Sequence, residues 1–409
     1  MADAVSDVVV VGGSIAGCST ATLLARQGVR VTVLEKAPGP EHHKVVCSHF
    51  LQPGASPVLR RLGLEEQFVA AGAAPNRTQG WSRYGWFSLH QEGEHGWNLR
   101  REKLDPMLRR LAAATPGVAL QQGLTVDAVL RDDAGRPCGV GARRRDGERV
   151  EVRARVVVGA DGRGSDVARL AGVPGRVLPN RRIGYMAYYE NMALATAPDS
   201  VVWFRDPEVS YAFLNDEGVV VLAVFAAAER LPEFKADGEA AFLTSFDGLP
   251  NRPDIMSARR ISPLIGRLDM PNVRRPAALP GLAFVGDAAQ ASDPLWGVGC
   301  GFALQTAEWL ADALGPALAQ GGDLDRALAR YRRRHRSFLL GHHLMMSEYS
   351  SGRRFNGLEK LIFTAAPRHP PTAALVGEMA GRARPLHRVM TPPRVARTAA
   401  AAIRHRTAG

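Results

Sequence analysis

Residues 7–35 read DVVVVGGSIAGCSTATLLARQGVRVTVLE. A β-branched run, Asp7–Val11, precedes a glycine-rich turn, a small and apolar stretch at helical spacing, and a second run, Arg30–Glu35, that ends on an acid. This order predicts a strand, a turn, a helix and a second parallel strand, which form the first half of a dinucleotide-binding fold. Glycines in such a turn let the backbone approach a pyrophosphate, while the helix directs free N–H groups at its charge.

The turn and the end of the second strand supply the first candidate cofactor-binding residues. Ser14 replaces the middle glycine of the usual GxGxxG pattern, but serine is small and can donate a hydrogen bond. Glu35 follows Gly17 by 18 residues, where an acid would bond the hydroxyls of an adenosine ribose. A purely structural glycine turn is the alternative. The candidates are Gly12, Gly13, Ser14, Ala16, Gly17, Glu35 and Lys36.

Length and composition indicate a two-domain globular protein. The chain has 409 residues, more than the ~250–300 at which single cores stop growing. Its 46% hydrophobic and 22% charged residues are ordinary for this class. The four cysteines have no paired or metal-like spacing, and no basic region precedes the first apolar run. We therefore expect a reducing, cytoplasmic location and no metal site, because the adjacent His342 and His343 lack a partner acid.

Positive charge is concentrated towards the C-terminus. The net charge is +12, and from Arg326 onwards 17 Lys and Arg face 3 Asp and Glu. This region lacks interleaved aromatic residues and a recognisable nucleic-acid module, so we expect no nucleic-acid partner. The alternatives are attraction of an anionic dinucleotide or a peripheral contact of this basic tail with an acidic membrane surface.

The remaining pattern alternates between the two predicted domains. Aromatic or alternating runs between residues 181 and 226 predict a separate, mostly antiparallel sheet. Beyond Gly352, prolines divide the chain into short helical pieces. Other predicted helices and strands are Arg101–Thr115, Ala119–Gln122, Thr125–Arg131, Pro137–Arg145, Arg155–Val158, Leu282–Val285, Gly299–Leu318 and Asp323–Ser347.

Two further segments place glycines and an acid after a buried strand. They read VVVGADGRGSDVARL at 156–170 and GDAAQASDPLWGVGCG at 286–301. With the first turn, they resemble the three fingerprints, in chain order, of FAD-dependent monooxygenases of the para-hydroxybenzoate hydroxylase fold. Flavin halogenases and geranylgeranyl reductases are relatives of that family. The resemblance covers roughly residues 5–340.

The resemblance implies an α/β fold with a Rossmann-type, glutathione-reductase-like FAD-binding domain and a mostly antiparallel β substrate domain. The FAD-binding domain would be discontinuous, covering residues 1–75, 101–180 and 270–340. The substrate-binding sheet would cover residues 76–100 and 181–269. A helical, basic C-terminal region would cover residues 341–409.

The resemblance also extends the cofactor-binding set. Asp287 would bind a ribityl hydroxyl of FAD, and the 294–301 stretch would lie beside the isoalloxazine. Arg101 would contact the flavin diphosphate, with an exposed arginine at a helix N-terminus as the alternative. Asp161 and Gly162 would support the pyrophosphate region. The added candidates are Arg101, Asp161, Gly162, Gly286, Asp287, Pro294, Gly297, Val298, Gly299 and Cys300.

The implied function is that of an NAD(P)H- and O₂-dependent monooxygenase in natural-product tailoring. Its flavin C4a-hydroperoxide would hydroxylate or epoxidise an aromatic or polyunsaturated hydrophobic substrate. No second glycine-rich turn is present, so NADPH or NADH would bind transiently, or a separate flavin reductase would deliver reduced FAD. Gln290 replaces a histidine usual in aromatic hydroxylases, and the Trp-x-Trp segment of halogenases is absent. A flavin-dependent reductase of isoprenoid-like double bonds and a non-catalytic flavin-binding partner protein are the alternatives.

This chemistry requires no nucleophilic side chain, so the sequence assigns no catalytic residue. Candidates for the substrate pocket are His49, Tyr211, Phe213 and Trp296. Core packing is the alternative for Tyr211 and Phe213, and a histidine with satisfied ring nitrogens is the alternative for His49. Asp293 is interpreted as a cap of the following turn rather than as an acid or base.

Overall fold

The computed structural model describes residues 6–90 and 95–407, without the side chains of 405–407. Residues 1–5, 91–94 and 408–409, which belong to the predicted domain ranges, lie outside the described residues. The α-helices are α1 (Ile15–Ala25), α2 (Ser56–Leu62), α3 (Glu65–Ala70), α4 (Arg101–Ala114), α5 (Asp166–Leu170), α6 (Leu231–Ala236), α7 (Gly238–Thr244), α8 (Gly299–Ala319), α9 (Leu324–Tyr349), α10 (Gly357–Ala365), α11 (Pro370–Gly381), α12 (Leu386–Val389) and α13 (Pro392–Thr407).

Within the described residues, the strands form two large sheets and two small ones. In the first half of the chain they are β1 (Ser6–Val11), β2 (Val31–Glu35), β3 (Phe50–Leu51), β4 (Ala74–Asn76), β5 (Thr78–Ser82), β6 (Gly85–Ser88), β7 (Gly96–Asn98), β8 (Val118–Gln122), β9 (Leu124–Arg131), β10 (Pro137–Arg144), β11 (Arg149–Gly159) and β12 (Arg176–Leu178). In the second half they are β13 (Arg182–Glu190), β14 (Ser200–Phe204), β15 (Val209–Leu214), β16 (Val220–Ala227), β17 (Arg259–Arg260), β18 (Ile265–Arg267), β19 (Asn272–Arg274), β20 (Ala278–Leu279), β21 (Leu282–Phe284) and β22 (Gln290–Ala291).

The first large sheet is the predicted Rossmann-type sheet, which confirms the fold class. Its order is β20-β21-β11-β1-β2-β8, and β1 pairs in parallel with both β2 and β11. Every residue of α1 is buried, because the helix packs between this sheet and the helices α4 and α8. Strand β11 begins earlier than the predicted Arg155 because its first half, from Arg149, pairs antiparallel with β10 before β1 becomes its parallel partner.

The second large sheet has the order β17-β13-β16-β15-β14-β5-β6 and is antiparallel except where β14 meets β5. Side chains alternate between its faces, as they must in a strand. Trp203 and Ala212 face a core beneath α6 and α7. Phe204 and Phe213 face the opposite side, where aromatic residues predominate. The sheet therefore has one structural face and one face available to form a cavity.

The C-terminal helices cover that aromatic face. The predicted breaks occur at the prolines, since α11 and α13 each begin on a proline. Phe355, Ile362, Phe363 and Val376 of this region are buried in the same hydrophobic cluster as Phe204 and Phe213. The basic region is thus packed into the aromatic side of the protein. In the described residues, no helix is both long and apolar enough to cross a bilayer.

Candidate functional site

The turn between β1 and α1 has a backbone that only glycine can adopt without displacement. Gly12 has φ of +110°, and a Cβ there would lie 2.5 Å from the carbonyl oxygen of Ala160. A Cβ on Gly17 would lie 1.8 Å from the carbonyl oxygen of Gly12. The amide of Gly13 donates to a carboxylate oxygen of Glu35 over 2.6 Å, so the acid at the end of β2 lies directly against the turn.

Two long helices begin without caps at the same edge of this sheet. Helix α1 starts after Ser14 and α8 after Val298, and neither residue makes a side-chain cap bond. Neither first turn contains an acidic residue. Strands β1 and β21, which precede these helices, run in the same direction, so both helix N-termini lie at the carboxyl edge. Free N–H groups and partial positive charge at this edge suit the pyrophosphate of FAD.

The Asp161 loop supports the glycine turn from the side. One oxygen of Asp161 accepts from the Ser165 hydroxyl over 2.7 Å, and the other accepts from the Val167 amide over 2.9 Å. Burial raises the pKa of Asp161. Gly162 has φ of +84°, a conformation that favours glycine. The carboxylate therefore holds the start of α5 and fixes the loop that packs on Gly12.

Arg101 lies beneath the glycine turn. Only 4% of the residue is exposed, which excludes the alternative of a surface arginine. Its guanidinium forms two hydrogen bonds with Asp105, of 2.7 and 2.8 Å, and one with the Ser14 hydroxyl, of 2.8 Å. Asp105 also accepts from the amide of Lys44 over 3.1 Å. This bidentate pair connects α4 to the turn and to the segment after β2.

The segments around Lys44 and Asp287 meet at the start of α8. The Lys44 ammonium lies 3.9 Å from a carboxylate oxygen of Asp287, whose side chain is 25% exposed. Gly286, at φ of +57°, donates its amide to the Thr306 hydroxyl over 2.9 Å. Asp287 is therefore fixed by its backbone while its carboxylate stays accessible. That combination suits a residue that binds a cofactor hydroxyl.

Two thiols lie at the same place. The sulfur of Cys47 is 3.7 Å from that of Cys300, the second residue of α8. The hydrogen bond from Cys300 lowers the pKa of the Cys47 thiol well below its usual range. The guanidinium of Arg101, 3.9 Å from Cys300, favours the same thiolate.

The loop before α8 is held by a buried ion pair. Asp293 accepts from the amide of Leu295 over 3.0 Å, so the capping interpretation is confirmed. Its second oxygen lies 2.8 Å from the guanidinium of Arg182, and both side chains are almost fully buried. The pair fixes the turn Pro294–Trp296, and Gly297 follows it at φ of +60°.

An aromatic cavity adjoins this loop. Trp296 and Phe213 line it together with Phe50 and Phe204. Its enclosed volume is about 50 Å³, and the space within and in front of its walls reaches about 600 Å³ when open solvent is counted. The rings of Phe50 and Phe213 stack at 4.7 Å. Tyr211 stacks on Phe213 at 4.2 Å but is not among the residues that line the cavity. Of the predicted pocket residues, the structure therefore brings Trp296 and Phe213 together at the cavity surface.

His49 lies elsewhere. Its Nδ1 accepts from the amide of Arg101 over 3.0 Å, so Nε2 carries the proton and donates to the Tyr188 hydroxyl over 2.8 Å. The residue is 3% exposed and does not line the cavity. Both ring nitrogens are committed, as in the alternative of a satisfied histidine, and His49 positions the N-terminus of α4.

Sequence reasoning missed the residues whose roles depend on distant contacts. Asp105 was detectable, because it follows Arg101 by four residues on a predicted helix. Arg182 and Arg382 carry no local signal. Each is almost fully buried within the site, and each lies outside the three fingerprints. Within residues 6–90 and 95–407, no cluster of three or more His, Cys, Asp and Glu side chains could hold a metal ion.

Comparison with known proteins defines the class. Residues 5–236 match the family described as FAD binding domain, and the chain therefore belongs to that family of flavin-dependent oxidoreductases. Digeranylgeranylglycerophospholipid reductase of Thermoplasma volcanium is 26% identical over 339 residues, which are 80% of this chain and 82% of the reductase. Squalene epoxidase 3 of Arabidopsis thaliana is 26% identical over 330 residues, which are 76% of this chain and 60% of the epoxidase.

A solved structure covers almost the whole chain. The flavin-dependent brominase Bmp2 matches with a TM-score of 0.82 and 19% identity over 99% of this chain and 100% of its own. At this identity the likeness shows a shared fold alone. The fold therefore extends through the C-terminal helices, beyond the part that the family match covers.

Proposed function

We propose that the protein is an FAD-dependent monooxygenase that inserts one oxygen atom of O₂ into an aromatic or polyunsaturated hydrophobic substrate. The observation that carries the proposal is the aromatic cavity, which adjoins the loop leading into the uncapped N-terminus of α8. Aromatic walls of this kind exclude water and suit contact with a flat apolar group at the mouth of the cavity. Natural-product tailoring in the cytoplasm is the setting we infer.

The cofactor residues of the proposal are those that meet at the carboxyl edge of the first sheet. The α1 N-terminus would face the pyrophosphate, Glu35 the adenosine ribose, and Asp287 the ribityl chain. Arg101 would act close to the diphosphate through Ser14. FAD supplies the oxygen chemistry when it is bound. The chain supplies the orientation of the cofactor.

Trp296 and Phe213 orient the substrate and exclude water. Trp296 is the last residue of the turn fixed by the buried Arg182–Asp293 pair, and Phe213 lies in β15, a central strand of the second sheet. Both supports are rigid, so the distance between substrate and cofactor would vary little. Positioning of this kind is the main contribution that a protein makes to cofactor-borne chemistry.

The hydride source is NADPH or NADH, or a separate flavin reductase. Anaerobic mixing of the FAD-loaded protein with each nucleotide, followed by air, separates these cases. Bleaching followed by reoxidation with peroxide or product supports a self-sufficient monooxygenase. Persistent yellow colour with both nucleotides and with candidate substrates contradicts the NAD(P)H assignment. In that case reduced FAD from a separate reductase is supplied under ¹⁸O₂, and a product without the isotope overturns the proposal.

A second candidate is a flavin-dependent reductase of isoprenoid-like double bonds. It is favoured by the extent of the match to the archaeal reductase, which covers four fifths of both chains. Mass spectrometry distinguishes the two, because reduction adds two hydrogens and oxygenation adds one oxygen. Membrane contact belongs to this candidate. Liposome co-sedimentation that is equal for wild type and an Arg333→Gln/Arg336→Gln variant, both exposed positions on α9, would contradict that contact. Turnover of any substrate excludes a non-catalytic partner protein.

A further inference from the structure

The wall of the aromatic cavity contains one arginine whose backbone is fixed. Arg382 follows α11 in the left-handed conformation, with φ of +54°. The side-chain amide of Gln305, on α8, donates to its carbonyl oxygen over 3.0 Å. Gly54 packs so closely that a Cβ there would lie 2.6 Å from the same oxygen. These contacts from two distant segments fix where the side chain of Arg382 enters the cavity.

The guanidinium of Arg382 is buried and incompletely satisfied. The residue is 2% exposed, and its guanidinium lies 5.6 Å from the ring centre of Trp296. One nitrogen donates to Nδ1 of His342 over 2.9 Å, while the Nε–H group is buried without an acceptor. Nε2 of His342 donates to the carbonyl oxygen of Arg384 over 2.9 Å, which leaves Nδ1 as an acceptor. His342 therefore accepts a hydrogen bond and contributes no negative charge.

Other buried arginines of the site have partners for their donors, and Arg109, for example, donates to the carbonyl oxygens of Gly13, Pro40 and His42. Arg101 pairs with Asp105, and Arg182 pairs with Asp293. Arg382 forms no ion pair with any residue in the part of the chain that the structure describes. Burial lowers its pKa to about 10, so it still carries its proton at neutral pH. A buried charge without a partner is unfavourable, and an anion that enters the cavity would relieve this cost.

The surroundings of Arg382 select the kind of anion. The cavity wall is mainly aromatic and aliphatic, and no acidic side chain of the described residues lines it. Arg382 is the one Lys or Arg among the described lining residues. A single guanidinium matches the charge and the planar shape of one carboxylate, whereas a diphosphate would bring surplus negative charge. The stacked rings of Phe50 and Phe213 suit an aromatic body attached to that carboxylate.

We propose that Arg382 forms an anion-binding subsite that holds the carboxylate of an aromatic acid in the cavity. The inference deepens the proposed function, on which it rests, by giving the substrate an anionic end. It also gives the C-terminal region a role, since Arg382, the residue directly after α11, recognises the substrate. The anchoring of the carboxylate would fix which ring position faces the loop at Trp296.

Calorimetry on the FAD-loaded full chain tests the subsite. The probes are benzoate and 1-naphthoate, their neutral analogues benzamide and 1-naphthamide, and geranyl diphosphate as the other source of an oxyanion. We expect at least one carboxylate to bind about 10- to 100-fold more tightly than its amide, the range of a charge-assisted hydrogen bond. Geranyl diphosphate should bind more weakly than that carboxylate.

Three variants assign the preference to Arg382. Arg382→Gln should abolish the preference for the carboxylate over the amide. Arg382→Lys should retain part of that preference, because lysine keeps the charge but lacks the planar guanidinium. Arg384→Gln is the matched control. It removes a positive charge two residues away, from a side chain that is 68% exposed, and should leave the preference unchanged.

Several outcomes would overturn the subsite. They are equal affinity for acid and amide, a preference that persists in Arg382→Gln, tighter binding of the diphosphate, and no saturable binding of any probe. The measurement uses oxidised flavin without an electron donor, so it does not depend on turnover. Oxygenation of a neutral substrate without any preference for acids would overturn the subsite and leave the proposed function intact.

Discussion

Two buried arginines, Arg101 at the cofactor edge and Arg382 in the aromatic cavity, differ in the partner that meets their charge. At the cofactor edge, Arg101 is held by Asp105, four residues along the same helix. In the cavity, Arg382 is buried to a similar degree, and its side-chain hydrogen-bond partner among the described residues is the neutral His342. The first arrangement is complete within the protein. Arg382 gains a partner for its charge when an anion binds. A buried arginine with an acidic partner therefore has a structural role, and one without such a partner has a role in recognition.

The largest expected effect is on the free energy of unfolding when a paired or an unpaired buried arginine is replaced. Arg182→Met would leave Asp293 buried without its partner, which typically costs about 3–5 kcal/mol of unfolding free energy. Arg382→Met should be neutral or stabilising, since it removes an unpaired buried charge. Chemical denaturation of both variants checks this. Equal losses in the two would break the comparison, because they would mean that Arg382 is neutralised inside the protein.

The next largest effect is on FAD affinity and tests whether Asp287, at the cofactor edge, binds the cofactor. Asp287→Ala should weaken FAD binding about 10- to 100-fold, since a hydrogen bond from a hydroxyl to a charged carboxylate is lost. The variant should purify without colour, and its FAD affinity can be measured by titration. Asp325→Ala, which removes an exposed acid paired with Arg136, is the control and should remain yellow. A fully yellow Asp287→Ala protein would show that the ribityl chain lies elsewhere.

A smaller effect, taken per residue, concerns three buried histidines of α9. Burial lowers the pKa of His335 and His342 to about 3 and that of His343 to about 4. In the unfolded chain these histidines take up a proton near pH 6.5. The stability that the neutral buried histidines contribute is therefore present above pH 6.5, and it is lost as the pH falls towards their pKa values in the folded protein. Each should cost about 1.4 kcal/mol per pH unit below 6.5.

Denaturation midpoints between pH 7 and pH 5 check this slope. His335 has a buried ring nitrogen without a partner, so His335→Leu should fold and lose about one third of the acid sensitivity. An unchanged slope in that variant would mean that His335 is protonated in the folded protein.

The same contrast explains how far the sequence could predict the structure. The glycine turn, Glu35 and the start of α8 lie within short contiguous segments, and their spacing follows from backbone geometry that glycine alone permits. The fold class was accordingly predictable. Arg101 lies next to Ser14 of the glycine turn, but its burial there depends on how α4 packs, which the sequence alone does not indicate.

The cavity was predictable only in part. Trp296 could be named because it lies among the glycines before α8, and Phe213 because it lies in an aromatic strand. Phe50 and Arg382 come from segments more than 300 residues apart, and no periodicity connects them. The basic composition of the C-terminal region suggested an external surface. Its buried side chains, such as Phe355 and Phe363, show that packing decides its place.

The most direct test is a titration of the FAD-loaded protein with 1-naphthoate, followed by the visible absorbance of the flavin. We expect a saturable spectral change with wild type and none with Arg382→Gln at the same concentrations. The reason is that Arg382 lines a cavity next to the loop at Trp296, and we place the isoalloxazine beside that loop. Tight binding by calorimetry with an unchanged flavin spectrum would contradict the account, since the anion subsite and the flavin would then be separate places in the molecule.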